Sequence, residues 1–202
     1  DAVIIATGAS ARYLGVPNEM RYVGRGYHTC ATCDGFFYRN KNVIVVGGGD
    51  SAMEEAHHLA KMADSVLLIH RRDAFRASKI MQDRVLHDPK ITVLWNSQIV
   101  EFIGEKKVEK VIVEDVNTHE KKEIEINGVF VAIGNDPNTT FVKGKLDMLD
   151  NGYLVPKERS MSNVPGIFVA GDVEDFTYRQ AITAAADGCK AALDCEKWMA
   201  QK

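Results

Sequence analysis

The chain has 202 residues, a formal net charge of −3 at pH 7 and 46% hydrophobic residues, the composition of an ordinary globular protein. The near-neutral charge argues against nucleic acid or a membrane surface as the main partner, and no apolar run approaches the roughly 18 residues of a membrane span. Only four cysteines occur, Cys30, Cys33, Cys189 and Cys195. A disulfide-scaffolded secreted domain would carry more, so we expect a reducing, cytoplasmic compartment.

The first predicted element is a strongly apolar strand. Asp1 leads directly into this strand, Val3–Ala6, which ends in Thr7-Gly8, and no initiator methionine precedes it. A strand this apolar needs neighbours on both faces. We therefore expect the native N-terminus to lie before Asp1, so the sequence gives no information on targeting signals.

A βαβ unit is predicted next. A buried strand, Asn42–Val46, runs into "GGGDSAMEEAHHLAKM", whose apolar residues recur at helical spacing, and a second buried strand covers Ser65–Ile69. Strand, glycine turn, helix and strand in this order imply a parallel sheet.

The rest of the chain continues this α/β pattern, with one antiparallel hairpin indicated by alternation. The predicted elements are a helix at Ala77–His87, a strand at Ile91–Trp95, a hairpin carrying Val111, Val113, Ile124 and Ile126, a buried strand at Gly128–Gly134, a crossing loop at Asn135–Thr139, strands at Tyr153–Val155 and Ile167–Ala170, and a helix at Tyr178–Met199.

The glycine turn of the βαβ unit, Gly47–Ala52, fits the pattern G-x-G-x-x-A. Gly47 allows the tight turn, Gly49 lets backbone amides approach a pyrophosphate, and the small last residue lets helix and strand pack closely. The pyrophosphate would lie on the helix N-terminus, beside Asp50 and Ser51, where free N–H groups favour anions. A turn that serves only packing is the alternative. The position between a strand and a helix favours a dinucleotide site.

The residues after the second strand refine the nucleotide. An NAD site usually has Asp or Glu here, which binds the ribose 2′-hydroxyl. This strand is followed by "HRRDAFR", which supplies His70, Arg71, Arg72 and Arg76. Guanidinium groups bind a 2′-phosphate through charge-assisted hydrogen bonds, whereas an acid would repel it. Arginine clusters also occur on ordinary solvated surfaces, but at this position of the motif the sequence predicts NADP(H).

The stretch "HTCATCDGFF" places Cys30 and Cys33 two residues apart, with Asp34 directly after them. Half of a zinc site is one interpretation, but a structural zinc needs four ligands, Cys189 and Cys195 are too far apart to form a second pair, and no histidine is suitably spaced. We therefore predict no metal. An inert pair of small core residues remains possible. The neighbouring nucleotide motif favours a redox dithiol, with Asp34 as the acid/base.

A flavin commonly relays the hydride of a nicotinamide to a disulfide, and the sequence contains two traces of a flavin site. "VIIATG" near the start and "GIFVAGD", Gly166–Asp172, both end strands in glycine, and Asp172 is placed for a ribityl hydroxyl. A second G-x-G-x-x-G, which would hold the ADP half of FAD, would have to lie before Asp1.

Together these residues resemble the low-molecular-weight thioredoxin reductases. The similarity runs along the whole chain, through "GRGYHTCATCDGFF", "GGGDSAMEEA", "HRRDAFRASK", "FVAIGNDPNT" and "AGDVEDFTYRQAITAAADGC". It implies an α/β flavoprotein fold of two dinucleotide-binding domains. Residues 1–10 would end the first FAD-domain segment, residues 11–134 would form a complete NADPH domain that carries the cysteines, and residues 135–202 would complete the FAD domain.

The resemblance also implies roles. Cys33 would face the flavin and accept its electrons, Cys30 would attack the thioredoxin disulfide, and Asp34 would be the acid/base. NADPH would be held by Gly47, Gly49, Asp50, Ser51, His70, Arg71, Arg72 and Arg76, and FAD would contact Thr7, Gly8, Gly171, Asp172, Arg179, Gln180 and Ala181. Arg25, Phe36 and Phe37 fall where the family docks thioredoxin, and core packing is the alternative for the two phenylalanines.

The implied function is reduction of thioredoxin by NADPH through FAD and the Cys30–Cys33 disulfide, in a homodimer. One rival is the flavoprotein subunit of alkyl hydroperoxide reductase, which favours NADH, so "HRRDAFR" argues against it. Glutathione-reductase-like enzymes space their redox cysteines further apart. The third rival is an NADP(H)-binding module without flavin catalysis, and residues 1–202 alone are expected to be inactive. Flavin content of the purified chain would separate this rival from the enzymes.

Overall fold

The computed structural model describes all 202 residues, and the chain forms two compact units. The split unit comprises Asp1–Arg12 and Asn135–Lys202, and the inserted unit comprises Tyr13–Gly134. The strands are β1 (Val3–Ile5), β2 (Ala9–Ala11), β3 (Tyr27–His28), β4 (Asn42–Val46), β5 (Ser65–Ile69), β6 (Ile91–Leu94), β7 (Ser97–Ile103), β8 (Lys110–Asp115), β9 (Lys121–Glu125), β10 (Gly128–Val131), β11 (Asn135–Pro137) and β12 (Ile167–Val169). The α-helices are α1 (Ala31–Asp34), α2 (Asp50–Ala60), α3 (Lys79–Leu86) and α4 (Ala181–Met199), and short 3₁₀ turns cover Glu19–Tyr22, Gly35–Tyr38, Thr140–Val142 and Gly171–Val173.

The inserted unit is built on a parallel sheet of five strands in the order β3-β10-β4-β5-β6. Its central strand β4 is buried on both faces: Val43 and Val45 pack with α2 and α3, while Ile44 and Val46 pack with the antiparallel sheet β7-β8-β9. Two covered faces explain why the sequence of β4 is a continuous apolar run. This architecture confirms the predicted α/β class with a parallel sheet.

The split unit has two smaller sheets and the longest helix. Strands β1 and β12 pair in parallel, and α4 packs beside them through Ala191 and Cys195, which are both buried. Strands β2 and β11 pair in antiparallel fashion. No helix of the molecule has both the length and the apolar character that crossing a membrane requires.

Three local predictions are wrong in detail. The predicted loop Asn135–Thr139 contains β11, whose partner β2 is too distant in sequence for a local pattern to reveal. The predicted strand Tyr153–Val155 is only an isolated bridge from Leu154 to Met148. The last helix begins at Ala181 and not at Tyr178, because the residues before it form a loop held by a carboxylate.

Candidate active site

The two neighbouring cysteines form a disulfide at the start of α1. Cys30 is the N-cap of this single helical turn, and its Sγ accepts a hydrogen bond from the backbone N–H of Cys33 at 3.1 Å. One turn of helix brings residues three apart onto the same side, which is why C-x-x-C closes so readily. Cys33 is exposed and Cys30 is half-buried. The disulfide can therefore be approached from the side of Cys33.

Asp34, the last residue of α1, is held by a side chain that the sequence analysis did not single out. Its Oδ2 lies 2.8 Å from Nδ1 of His28, and Nε2 of His28 lies 2.7 Å from the hydroxyl of Tyr38. His28 is buried on β3, in register with Phe130 of β10. Burial, followed by the charge of Asp34, raises the pKa of Tyr38. Strand β3 is only two residues long, so no local pattern could have revealed this arrangement.

The 3₁₀ turn after α1 presents two aromatic rings to solvent. Phe36 is 66% exposed and Phe37 is 67% exposed, so core packing is the wrong interpretation of these residues. The two rings meet edge to face with centroids 6.3 Å apart, and the guanidinium of Arg39 lies 5.2 Å from the Phe36 ring. Arg25 is also exposed. Exposed aromatic side chains next to an accessible disulfide are typical of a protein-docking surface.

The glycine turn lies between β4 and α2 and needs its glycines for different reasons. A Cβ on Gly47 would lie 2.5 Å from the carbonyl oxygen of Ala132 and 2.6 Å from the Cβ of Ala52. A Cβ on Gly48 would collide with the ring of His70, a constraint that the motif did not predict. Gly49 has no atom within 4 Å of its Cβ position, so the backbone at Gly49 is open to an approaching ligand.

Helix α2 begins at this turn without a side-chain cap, because its N-cap residue is Gly49. The carboxylate of Asp50 accepts hydrogen bonds from the backbone N–H and the hydroxyl of Ser78, at 2.9 and 2.7 Å, and these bonds lower its pKa. Asp50 therefore anchors the segment before α3. Ser51 follows in the first turn, and its N–H group donates to no backbone carbonyl and is left for an anion, whereas the N–H of Ala52 already donates to the carbonyl oxygen of Gly49.

The predicted phosphate-binding residues follow β5, at the same edge of the sheet as the glycine turn, since β4 and β5 run parallel. Arg71, Arg72 and Arg76 are all exposed. None of them takes part in any of the ion pairs or side-chain hydrogen bonds of the structure. Three guanidinium groups without a carboxylate partner form an electropositive patch suited to a phosphate.

His70 is buried among aromatic rings at the base of this patch. Its Nε2 lies 3.0 Å from the carbonyl oxygen of Ala74, so Nε2 carries the proton and donates it to this acceptor. Burial lowers the pKa of His70, and the charges of Arg72 and Arg76 add to this effect. The ring therefore acts as a neutral packing element under Gly48.

The predicted flavin-contacting residues Thr7, Gly8, Gly171 and Asp172 follow β1 and β12 in the split unit. These strands are parallel, so all four residues lie at one edge of the small sheet. The hydroxyl of Thr7 donates to the carbonyl oxygen of Asn138 at 2.8 Å. Oδ1 of Asp172 is buried and has no hydrogen-bond partner, and burial raises the pKa of this carboxyl. An unpaired buried acceptor is suited to a hydroxyl group of a ligand.

Arg179, Gln180 and Ala181 lie at the start of α4, close to Asp172. The loop before α4 is held by the carboxylate of Asp175, which accepts a hydrogen bond from the backbone N–H of Arg179 at 3.0 Å. The first turn of the helix packs on Gly171, whose Cβ position is 3.3 Å from the Cβ of Ala184. Each set of predicted residues is thus brought together within its own unit.

A disulfide and a nucleotide-type glycine turn within one compact unit define the class of protein, and comparison with known proteins agrees. The chain belongs to the pyridine nucleotide-disulphide oxidoreductase family, whose model matches residues 1–188. A thioredoxin reductase of Streptomyces clavuligerus is 52% identical over 200 residues, which are 98% of this chain and 62% of the relative. The similarity to thioredoxin reductases seen in the sequence is thereby confirmed.

Solved structures give the same result. A thioredoxin reductase from Streptococcus pyogenes matches with a TM-score of 0.94 at 40% identity, over 100% of this chain and 66% of that chain. A thioredoxin reductase from Giardia duodenalis matches with a TM-score of 0.91 at 42% identity, over 99% and 66% of the two chains. The chain therefore spans between 62% and 66% of the length of these relatives.

Proposed function

We propose that this protein is an NADPH-dependent thioredoxin-disulfide reductase, which passes electrons from NADPH through FAD to the Cys30–Cys33 disulfide and on to a thioredoxin. One observation carries the proposal. A surface-accessible disulfide and a glycine turn with three unpaired arginines occur in a single compact unit. The names of the three similar proteins described above, each a thioredoxin reductase, support the same reaction.

The inserted unit would bind NADPH. The open backbone at Gly49 and the uncapped start of α2 suit the pyrophosphate. The exposed guanidinium groups of Arg71 and Arg72, with Arg76 four residues after Arg72, suit the 2′-phosphate through charge-assisted hydrogen bonds. This phosphate is the feature that distinguishes NADPH from NADH.

The split unit would hold FAD, and its residues fit this group. Oδ1 of Asp172 is a buried acceptor without a donor, which a ribityl hydroxyl would satisfy. Gly8 has a φ of 69° and open space at its Cβ position, so the backbone there can lie against a ligand. Thr7, Gly171, Arg179, Gln180 and Ala181 would complete the contacts. When bound, FAD supplies the two-electron relay between a nicotinamide and a disulfide.

The thiol chemistry balances in two exchange steps. The thiolate of Cys30 attacks the thioredoxin disulfide, whose S–S bond breaks as a mixed disulfide forms. Cys33 then attacks Cys30, the Cys30–Cys33 disulfide re-forms, and thioredoxin leaves as a dithiol. Asp34 takes the proton from the thiol that becomes a thiolate and returns it to the thiolate that leaves. Overall, NADPH, a proton and a thioredoxin disulfide become NADP⁺ and a thioredoxin dithiol.

Thioredoxin would dock on the exposed pair Phe36 and Phe37, with Arg25 nearby in sequence. We also propose a homodimer and a cytoplasmic site of action, the latter because the chain has only four cysteines. Size-exclusion chromatography with light scattering tests the dimer.

Residues 1–202 alone are expected to bind NADPH and to reduce no thioredoxin, so the activity is tested in the intact enzyme, which includes the segment that would hold the ADP half of FAD, with FAD, NADPH and a thioredoxin. We expect NADPH oxidation that requires thioredoxin and is abolished by Cys30→Ser or Cys33→Ser. Cys189→Ser is the matched control, because Cys189 is an exposed free cysteine outside the disulfide. An intact protein that binds NADPH but retains no flavin and reduces no thioredoxin in excess FAD would support the alternative, an NADP(H)-binding module. Activity that prefers NADH to NADPH and an alkyl hydroperoxide-reducing partner to thioredoxin would support the rival flavoprotein subunit of alkyl hydroperoxide reductase.

A further inference from the structure

His28 lies between the acid next to the disulfide and a buried phenol. Its Nδ1 is 2.8 Å from Oδ2 of Asp34, and its Nε2 is 2.7 Å from the hydroxyl of Tyr38. Both ring nitrogens are therefore used. Asp34 is the only carboxylate that forms an ion pair with His28. The hydrogen bond between His28 and Asp34 joins a buried ring to a carboxylate whose side chain is 37% exposed.

We infer that His28 is the positioning residue of Asp34, and that its two ring nitrogens keep Asp34 hydrogen-bonded in both its ionised and its protonated form. The inference rests on the proposed role of Asp34 as the acid/base of the disulfide. His28 acts through Asp34 and does not itself contact the sulfur atoms.

The hydrogen-bond donors and acceptors of Asp34, His28 and Tyr38 can be fully paired in two ways. When Asp34 is a carboxylate it can only accept, so Nδ1–H of His28 donates to it, and Nε2 accepts the O–H of Tyr38. When Asp34 is protonated, its O–H donates to Nδ1, and Nε2–H donates to the oxygen of Tyr38. The change requires only a shift of tautomer and a rotation of one hydroxyl hydrogen. The raised pKa of Tyr38 keeps its hydroxyl available as a donor.

The packing holds the imidazole in one place. Its ring stacks on Phe130 with centroids 5.1 Å apart and planes 25° apart, and it meets the ring of Tyr38 edge-on at 5.2 Å. Tyr38 is itself confined, because any side chain at Gly128 would collide with its ring. A ring held between Phe130 and Tyr38 cannot turn away from Asp34. The carboxylate therefore keeps one orientation at the end of the helical turn that carries the disulfide.

The titratable and charged groups around this cluster are Asp34, Tyr38, Lys41 and His58. Asp34 and Tyr38 contact His28 directly. The ammonium of Lys41 lies 5.4 Å from the Tyr38 ring centroid and donates to the carbonyl oxygen of Phe37 at 2.8 Å. His58 of α2 reaches the Cβ position of Gly35 at 3.7 Å.

Dithiothreitol reduces the disulfide directly, so proton transfer by Asp34 can be followed without any cofactor. The carboxylate of Asp34 takes the proton of one dithiothreitol thiol, the resulting thiolate attacks one cysteine sulfur, the Cys30–Cys33 bond breaks, and the other cysteine leaves as a thiolate. Asp34, now protonated, gives this proton to the leaving thiolate and is again the carboxylate held by Nδ1–H. The second dithiothreitol thiol then closes the cyclic disulfide, so both protons of the reagent finish on Cys30 and Cys33.

The first test is the pH profile of this exchange in the full chain. We expect His28→Ala to slow exchange about tenfold at neutral pH, because a misplaced acid loses much of its effect. The rates should converge at alkaline pH, where a leaving thiolate needs no acid. His28→Asn should recover most of the rate, since its amide can donate to Asp34. Asp34→Asn should be at least as slow as His28→Ala.

The matched control is His119→Asn. His119 forms a comparable pair with Glu114, 3.1 Å from Nδ1 to Oε1, in the exposed hairpin of the same unit. Asn tolerates the φ of 61° at this position, so the variant should keep the unmutated rate. A His28→Ala profile that matches this control, or one slowed equally at every pH, would overturn the inference.

The second test needs no substitution at His28. Nuclear magnetic resonance of the imidazole nitrogens should show the Nδ1–H tautomer at neutral pH in the oxidised chain, and the Nε2–H tautomer there would overturn the inference. Neither test uses NADPH, FAD or thioredoxin. If both tests gave the expected results but the protein reduced no thioredoxin, only the proposed function would be contradicted.

Discussion

The ring of His70 fills the space that a side chain at Gly48 would occupy. The nucleotide motif requires glycine at positions 47 and 49, whereas position 48 is variable in the motif and is restricted here by a residue that follows the neighbouring strand. Because His70 is buried and bonded to Ala74, it cannot move aside freely. The packing of His70 therefore restricts position 48 of the glycine turn to a residue without a side chain.

Two adjacent glycines should respond differently to the same substitution. Gly48→Ala should lower the free energy of unfolding by about 1–3 kcal/mol, the usual cost of overpacking. Gly49→Ala has open space and an ordinary φ of −103°, so it should leave stability unchanged and weaken NADPH binding by obstructing the ligand. Chemical denaturation and calorimetric titration measure the two effects. A stability loss in Gly49→Ala as large as that in Gly48→Ala would contradict this account.

The arginine patch predicts cofactor preference. Replacement of Arg71 and Arg72 by Gln removes charge-assisted hydrogen bonds worth about 1.5–3 kcal/mol each, so NADPH affinity should fall at least tenfold while NADH affinity barely changes. Arg84→Gln is the control, because this exposed arginine of α3 has only the sulfur of Met81 as a side-chain partner. Equal losses for both nucleotides would show that the patch does not read the 2′-phosphate.

The two cysteines are expected to differ in a trapping experiment. Cys33→Ser should leave Cys30 as a free thiol that accumulates as a mixed disulfide with thioredoxin, detectable by intact mass. Cys30→Ser should give no stable adduct. In the oxidised structure Cys33 is more exposed than Cys30. Exposure alone would therefore favour an adduct on Cys33, the opposite of the expected result. A stable adduct on Cys33 alone would reverse the two roles.

Glu174 of the split unit should make stability depend on pH. Burial, then the charge of Asp187, raises the pKa of Glu174 from 4.5 to about 7. The folded chain therefore binds this proton more tightly than the unfolded chain. The stabilisation is complete below about pH 4.5 and is lost as the pH rises through about 7. Full burial would make the loss about 3 kcal/mol, and the partial exposure of the side chain reduces it to roughly 1–2 kcal/mol.

Glu174→Gln should consequently raise the unfolding midpoint at about pH 8 and have little effect near pH 4. Thermal unfolding across this range measures the difference. Glu196→Gln, at an exposed position on α4, serves as the control and should follow the unmutated curve. A gain that is the same at all pH values would mean that ionisation of Glu174 is not its source.

Much of this protein could be predicted from short stretches of sequence. Strands β4 and β5 have the predicted bounds because each is a continuous apolar run delimited by polar and glycine residues. The C-x-x-C spacing allows closure within one helical turn, and G-x-G-x-x-A directly after a strand indicates a nucleotide turn. The signals for these features lie within a few residues of each other, so the chemistry they suggest is visible before folding is considered.

Tertiary structure decided the features that depend on residues far apart in the chain. The register of β3 with β10 places His28 beside Phe130, more than one hundred positions later in the sequence. The pairing of β2 with β11 converts a predicted loop into a strand. The exposure of Phe36 follows from the neighbours of its turn and not from its hydrophobicity. Such contacts are set by packing between distant segments, which a local pattern cannot encode. The sequence by itself therefore determined which reacting groups the protein carries, and the fold determined which side chain holds Asp34 in place.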